Sequence, residues 1–504
     1  MPVIPRPTFE LVARAAATSA LLAAFTLATP TAAAPGDDER PNILFAIADD
    51  WGWPHAGAYG DPVVQTPAFD RLAREGVRFE HAYVSSPSCT PSRAAILTGQ
   101  WHWRLEESAN LWSTLGRDYP VYPELLEAAG YFVGLERKGW GPGKLEPGGR
   151  TRNPAGPKFE SFADFLARRP DGTPFCYWFG AYDPHRDYDA GSGARSGIPL
   201  HAIRLFPHFP DSPEVRSDVA DYYFEVQRFD GEVGGILALL EEKGELDRTV
   251  VVMTGDHGMP FPRCKSNLYD SGARVPLAFR GPGLAVGRVV EAFVSLTDLA
   301  PTFLLLGGLD VPEVMTGRNL LPLLREGAAD PREIAARDHV LVGKERHVPV
   351  QEKPDMGGTP MRSIRTPDFL YIRNFRPDRW PAGTPHHGRA SMPGSWLGDC
   401  DNGPTKTYMV ENQDRDARHR KLYDLSFAKR PAEELYNLKT DPGQLDNVAD
   451  APEYAQVKKE LESRLMAELR ETGDPRVVGG AERLEAYPYY GGSPVSYTHL
   501  RAHE

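Results

Sequence analysis

The chain has 504 residues, room at ~150 residues per domain for roughly two to four domains and a large buried core, which excludes a small module stapled by disulfides or a metal. Hydrophobic residues make up 41% and charged residues 25%, an ordinary globular composition that excludes a collagenous, coiled-coil or disordered chain. The net charge of −12 argues against nonspecific nucleic-acid binding, which needs clustered cations, and obliges any anionic substrate to find a local basic pocket.

In chain order, residues 1–34 read as a secretory signal peptide. Arg6 and Arg14 precede an alanine-rich apolar run from Ala15 to Leu27, and small residues follow through Ala34. The run is shorter than the ~20 residues that span a bilayer, and no later segment is long and apolar enough, so no stable membrane span is expected. The mature chain is expected outside the cytoplasm, in a periplasm or the extracellular space. Asn42 to Ala48 is a nearly continuous apolar run that predicts a strand buried on both faces. Thr66 to Gly76 predicts a helix with Thr66 as N-cap, Pro67 at its first position and Gly76 as C-cap, followed by a strand through Phe79. The rhythm repeats with a helix Tyr122 to Ala129, strands Phe132 to Leu135 and Phe175 to Ala181, a long helical region Pro213 to Lys243 and a strand Thr249 to Thr254. Such alternation predicts an α/β fold, a large, mostly parallel sheet sandwiched by helices, with ligands beyond the carboxyl ends of its strands.

Past Gly343 the texture changes. Met361 to Phe375 alternates across a Thr-Pro-Asp turn and predicts two antiparallel strands. Tyr454, Val457, Leu461, Leu465 and Leu469 mark one face of an amphipathic helix. We therefore expect a large α/β domain over residues 40–345, a smaller C-terminal α+β domain with an antiparallel sheet over 346–490, and a tail over 491–504. Glycine and proline number 48 and 47, so much of the chain must form turns and loops, where sites are usually built. Cys89, Cys176, Cys264 and Cys400 could form disulfides in an exported chain but are too few for a disulfide framework.

Asp49 and Asp50 are consecutive acids at a predicted strand end, and Asp256 follows another. Adjacent carboxylates in a cleft repel unless a cation compensates, and hard divalent metals take oxygen ligands of this kind; a solvated loop pair is the alternative. In S-P-S-C-T-P-S-R-A-A-I-L-T-G, from Ser86 to Gly99, Cys89 falls near a predicted helix start, where amide dipoles favour a thiolate or an oxyanion. Arg93, one turn on, can hold an anionic group bidentately. The residues alone thus suggest an anion-binding nucleophile beside a metal, against a buried structural cysteine.

The stretch C-T-P-S-R-A-A-I-L-T-G resembles the signature of the sulfatase family, in which this cysteine is converted after translation to formylglycine. The resemblance extends to P-N-I-L-F-A-I-A-D-D-W-G, to F-G-A-Y-D-P-H-R and to Gly255 through Gly272, and so spans essentially the mature chain. The segments after Asp256 and around His185 look most like the heparan N-sulfatase, or sulfamidase, branch. The resemblance implies an alkaline-phosphatase-like fold and a calcium ion held by Asp49, Asp50, Asp256 and residue 89. His257 stands where the family often has asparagine, and imidazole is a less typical ligand for a hard cation. It further implies a maturation enzyme that makes formylglycine, whose hydrated form attacks sulfur, forms a covalent sulfate ester and then expels sulfate. Arg93, Lys138 and Lys265 would hold the sulfate, His185 would protonate the leaving group, and Asp183 would orient His185 or the substrate.

One departure stands out. Many sulfatases carry Lys-x-His where this chain reads Lys138-Gly139-Trp140, so the histidine's role has moved or is lost; Trp140 either stacks on a sugar ring or packs in the core. The implied activity is sulfate removal from a sulfated glycan substrate, with N-sulfoglucosamine of heparan sulfate as the expected target. The alternatives are an O-sulfatase on another polysaccharide, a phosphate or phosphonate ester hydrolase, and a catalytically silent glycan-binding protein.

Overall fold

The computed structural model describes residues 40–327 and 329–492; the expected signal peptide and the tail from residue 493 lie outside the described residues. Seven strands form the main sheet: β1 (Asn42–Ala48), β2 (Val77–Tyr83), β3 (Phe132–Arg137), β4 (Phe175–Gly180), β5 (Thr249–Gly255), β6 (Leu277–Arg280) and β7 (Arg288–Ser295). Their order is β3-β4-β1-β5-β6-β2-β7, parallel throughout except for the pairings of β6. The fold is α/β, as expected. Four further strands, β8 (Val340–Lys344), β9 (Met361–Arg365), β10 (Phe369–Asn374) and β11 (Glu433–Asn437), form an antiparallel sheet in the order β11-β10-β9-β8. The predicted hairpin is the β9–β10 pair, and the second sheet takes its first strand from residues ahead of Lys344.

The apolar run of β1 shows why helices cover both sheet faces. Successive side chains of a strand point to opposite sides. Ile43, Phe45 and Ile47 enter one core with Tyr122, Leu126, Leu299 and Phe303, while Leu44 and Ala46 enter another with Phe69, Leu72, Val219 and Phe229. The latter core is roofed by the 30-residue helix Pro213–Glu242 and by α1 (Pro67–Glu75). The amphipathic helix is Ala455–Glu471, whose Leu461, Leu465 and Leu469 pack on Leu341, Ile364 and Leu435 of the second sheet. Among the described residues no helix is long and apolar enough to cross a membrane. All four cysteines are free thiols.

Gly76 is the C-cap of α1 as expected, whereas Thr66 stands at the N-cap without capping through its side chain. The Thr66 hydroxyl accepts the Gly57 amide and donates to Asp70 rather than capping the helix. The first amides of α1 go instead to Asp230 of the long helix, Ala68 N to Oδ2 and Phe69 N to Oδ1, each at 2.9 Å. Gly76 closes α1 at φ −153°, so its glycine is not there for a left-handed turn. A Cβ at Gly76 would lie 1.9 Å from the Phe279 carbonyl oxygen, and it is this close approach of two backbones that requires glycine.

Candidate active site

Strand register assembles the site. In the parallel pairs, Ala48 of β1 lies level with Gly255 of β5, Ile47 with Gly180 of β4, and Gly180 with Arg137 of β3. The residues that leave these four ends are therefore neighbours: Asp49 and Asp50, then Asp256 and His257, then Asp183 and His185, then Lys138. Backbone bonds hold the turns together, with Asp256 N on Ala48 O (3.1 Å), Asp49 N on Asp183 O (3.0 Å) and Lys138 N on Gly180 O (2.9 Å). Asp50 sits at φ 78°, a left-handed conformation that Asp tolerates better than most side chains, and its amide donates to Asp256 Oδ1 at 2.9 Å.

Above this edge, α2 (Cys89–Thr98) begins at the nucleophile candidate, and all ten of its residues are buried. Cys89 Sγ lies 3.3 Å from His257 Nε2 and 3.7 Å from Asp49 Oδ1; His257 Nε2 lies 3.2 Å from Asp50 Oδ1. Donor atoms of Asp49, Asp50, Cys89 and His257 all fall within 4.8 Å of one another. The carboxylate of Asp256 stands behind this group, taken up by the Asp50 amide and by Arg93 Nε at 2.8 Å. Lys138 Nζ reaches Asp49 Oδ2 at 2.5 Å, and Lys265 Nζ reaches Asp50 Oδ2 at 2.9 Å. His185 Nε2 approaches Asp50 Oδ2 at 4.0 Å, while its Nδ1 lies 2.6 Å from the Arg186 carbonyl oxygen.

Burial and charge act in opposite senses here. Burial disfavours the Asp49 charge, yet Lys138, His185, Arg93 and Lys265 together hold its carboxyl well below the usual range. Asp50 goes the other way: burial, with Asp49 alongside, lifts it above the ordinary value despite Lys265. Lys138 and Lys265 stay firmly protonated although buried, because carboxylates face them. Burial pushes the Cys89 thiol up, so the helix start does not stabilise a thiolate at this position.

The cleft outside the nucleophile has a volume of about 1240 Å³. Asp183, bound to Arg228 at 3.2 Å, lies on one wall with Glu225. Of the two roles the sequence left open for Trp140, the structure shows core packing: it is 5% exposed and lies in the main core, while also lining the cleft. The cleft is also lined by two residues that sequence reasoning missed. His347 Nδ1 lies 2.8 Å from the hydroxyl oxygen of Ser88, which precedes Cys89, and Asp401 Oδ2 lies 3.2 Å from Lys265 Nζ. Neither belongs to a motif; His347 ends the polar run Lys344 to His347 and Asp401 stands among Asp399, Cys400 and Asn402, the signals that could have drawn notice.

Residues 41–140 and 157–309 match the sulfatase family model. The chain belongs to the sulfatase family. The unmatched interval begins directly after Trp140, the position where the chain departs from Lys-x-His. This sulfatase is a sulfuric ester hydrolase by its family and relatives. It is 29% identical over 490 residues to human N-sulphoglucosamine sulphohydrolase, covering 87% of this chain and 92% of that one. To an ulvan-active sulfatase of Formosa agariphila it is 28% identical, covering 86% and 76%. Its fold is like that of a protein solved with its substrate D-glucosamine-2-N,6-O-disulfate, at TM-score 0.58 and 21% identity, covering 86% of this chain and 98% of that chain.

Proposed function

We propose that this sulfatase, exported after loss of residues 1–34, removes the N-sulfate of a terminal glucosamine in a heparan-type glycan. Its catalytic domain spans residues 40–345 apart from β8, which joins the sheet of the smaller domain over 346–490. The observation that carries the reading is the buried donor group at the start of α2, ringed by Arg93, Lys138 and Lys265. Its donors suit a calcium ion: two carboxylates supply hard oxygen ligands, and Asp50 Oδ1 is buried without a hydrogen-bond partner. Asp49, Asp50 and residue 89 would hold the ion with His257, and Asp256 would support them or join them. Such an ion, together with formylglycine made from Cys89 by a maturation enzyme, supplies the nucleophile and neutralises the sulfuryl oxygens. A buried, protonated thiol is a poor nucleophile, which fits a modified residue 89 better than the cysteine itself.

The chain's own side chains supply the rest. Lys138 and Lys265 place ammonium groups on either side of residue 89, and Arg93 keeps Nη2 buried, without a hydrogen-bond partner. These cations hold the sulfate oxygens. His185, 36% exposed at the cleft edge, gives a proton to the departing nitrogen. Asp183 and the Trp140 ring orient the sugar. The near-equal likeness to the ulvan-active enzyme favours an O-sulfate ester on another polysaccharide as the second reading.

Two measurements test this. Peptide mass spectrometry on the residue 89 peptide should show an aldehyde in place of the thiol, and Cys89→Ala should fold but lose turnover. Sulfate release from defined N-, 6-O-, 2-O- and 3-O-sulfated oligosaccharides should be fastest for N-sulfate. Faster release from any O-sulfated member, with N-sulfate untouched, rejects the substrate while leaving the family standing.

A further inference from the structure

We propose that Asp401 is a specificity residue that accepts a hydroxyl or N–H of the sugar in the cleft and turns away a sugar carrying a second sulfate. The inference rests on the glycan reading above but not on which position bears the scissile sulfate. Asp401 Oδ2 is buried, and its one near donor is the Lys265 ammonium at 3.2 Å, which it shares with Asp50 Oδ2. A buried carboxylate oxygen that shares its one donor has acceptor capacity to spare, and a sugar hydroxyl or amine entering the cleft would use it. Burial opposes the charge of Asp401, but Lys265, His185 and His347 keep it ionised.

The charge distribution along the cleft points the same way. Its cations gather at the Cys89 end, where Lys138 and Lys265 flank the nucleophile. Farther out, Arg186 is tied up by Asp218 in two bonds of 2.8 Å and Arg137 by Glu232 at 2.7 Å. What remains facing the sugar is Asp183, Asp187, Glu225 and Asp401, with Asp189 paired to Arg195, against the imidazoles of His185 and His347, Lys265 at Asp401, and Arg228, which already contacts Glu225 at 2.6 Å and Asp183 at 3.2 Å. A chain whose substrate is anionic has thus confined its attraction for anions to one end of the cleft. A second sulfate on the same sugar would meet carboxylate, and such like-charge juxtaposition is how a site rejects a near-identical ligand.

The test compares kcat/KM of the matured full chain on two disaccharides, one ending in N-sulfoglucosamine and one bearing an added 6-O-sulfate on that sugar. Wild type should favour the monosulfated member by about tenfold or more, and Asp401→Asn and Asp401→Ser should each cut that ratio at least about fivefold. The ratio is taken within one preparation, so partial unfolding of a variant cancels. An unchanged ratio in both variants, or a wild-type preference for the disulfated sugar, overturns the proposal. If neither disaccharide loses its N-sulfate, the substrate reading fails separately, and the same ratio on the O-monosulfated and disulfated pair that is cleaved decides the role of Asp401.

Discussion

Arg93 Nε lies 2.8 Å from Asp256 Oδ2, with both side chains shut off from solvent. This pair ties the start of α2 to the end of β5, so the nucleophile's helix and the acid edge of the sheet are held as one unit. Arg93 also donates from Nη1 to the carbonyls of Lys138 and Gly139, which draws the end of β3 into the same lock. Removing one member of a buried ion pair strands the other charge. Arg93→Ala should therefore cost about 3–5 kcal/mol of stability as well as turnover, read as a lower denaturant midpoint. A midpoint equal to wild type would mean the pair is not structural.

Chelation, or Asp50→Asn, should cut turnover at least ~100-fold, because an ion held there would orient the nucleophile and neutralise charge on the reacting oxygens. Elemental analysis of the purified enzyme should find calcium in wild type and little in the variant. Full activity after exhaustive chelation, with no metal bound, rejects the assignment.

His185→Ala should hurt the natural substrate far more than an aryl sulfate, by roughly 100-fold in the ratio of the two rates. A phenolate leaves readily without an acid, whereas an amine must be protonated as its bond to sulfur breaks. Equal losses on both substrates would leave His185 a binding group only.

Asp230, which caps α1 from the long helix, makes stability depend on pH. Burial lifts its carboxyl to about 7, against about 4 for an ordinary aspartate. The folded state therefore binds a proton that the unfolded chain has released, so this contribution is whole below about pH 4 and is lost as pH rises to about 7. Asp230→Asn should flatten that slope, by roughly 2–4 kcal/mol across the window. Denaturant midpoints of the two proteins at intervals from pH 4 to 8 give the difference directly, and parallel curves would exclude Asp230 as the titrating group.

Much of the scaffold and the reactive core could be read along the chain because each signal is local. The continuous apolar run of β1 announced a strand buried on both faces, Cys-x-Pro-x-Arg announced a helix start, and acids directly after apolar runs announced carboxylates gathered beyond strand ends. The four-residue spacing of Leu461, Leu465 and Leu469 was similarly legible. In each case the residues that make the pattern lie within a few positions of one another, and local geometry follows from period and turn chemistry.

What only the tertiary structure decided are the encounters between distant segments. The order β3-β4-β1-β5 is what places Lys138, His185, Asp49 and Asp256 side by side, and no periodicity encodes which strand lies next to which. The same limit hid the true cap of α1, Asp230, 162 residues from Ala68 in sequence. It also hid the reason for Gly76, which is the Phe279 carbonyl of β6. His347 and Asp401 reach the cleft from beyond the main sheet, carried by contacts that local sequence does not announce. The sequence by itself therefore determined the chemistry available and the elements that present it. Packing decided which carboxylates stand alone, which are tied to cations, and which side chains form the wall that meets the substrate, because burial and charge pairing depend on neighbours in space.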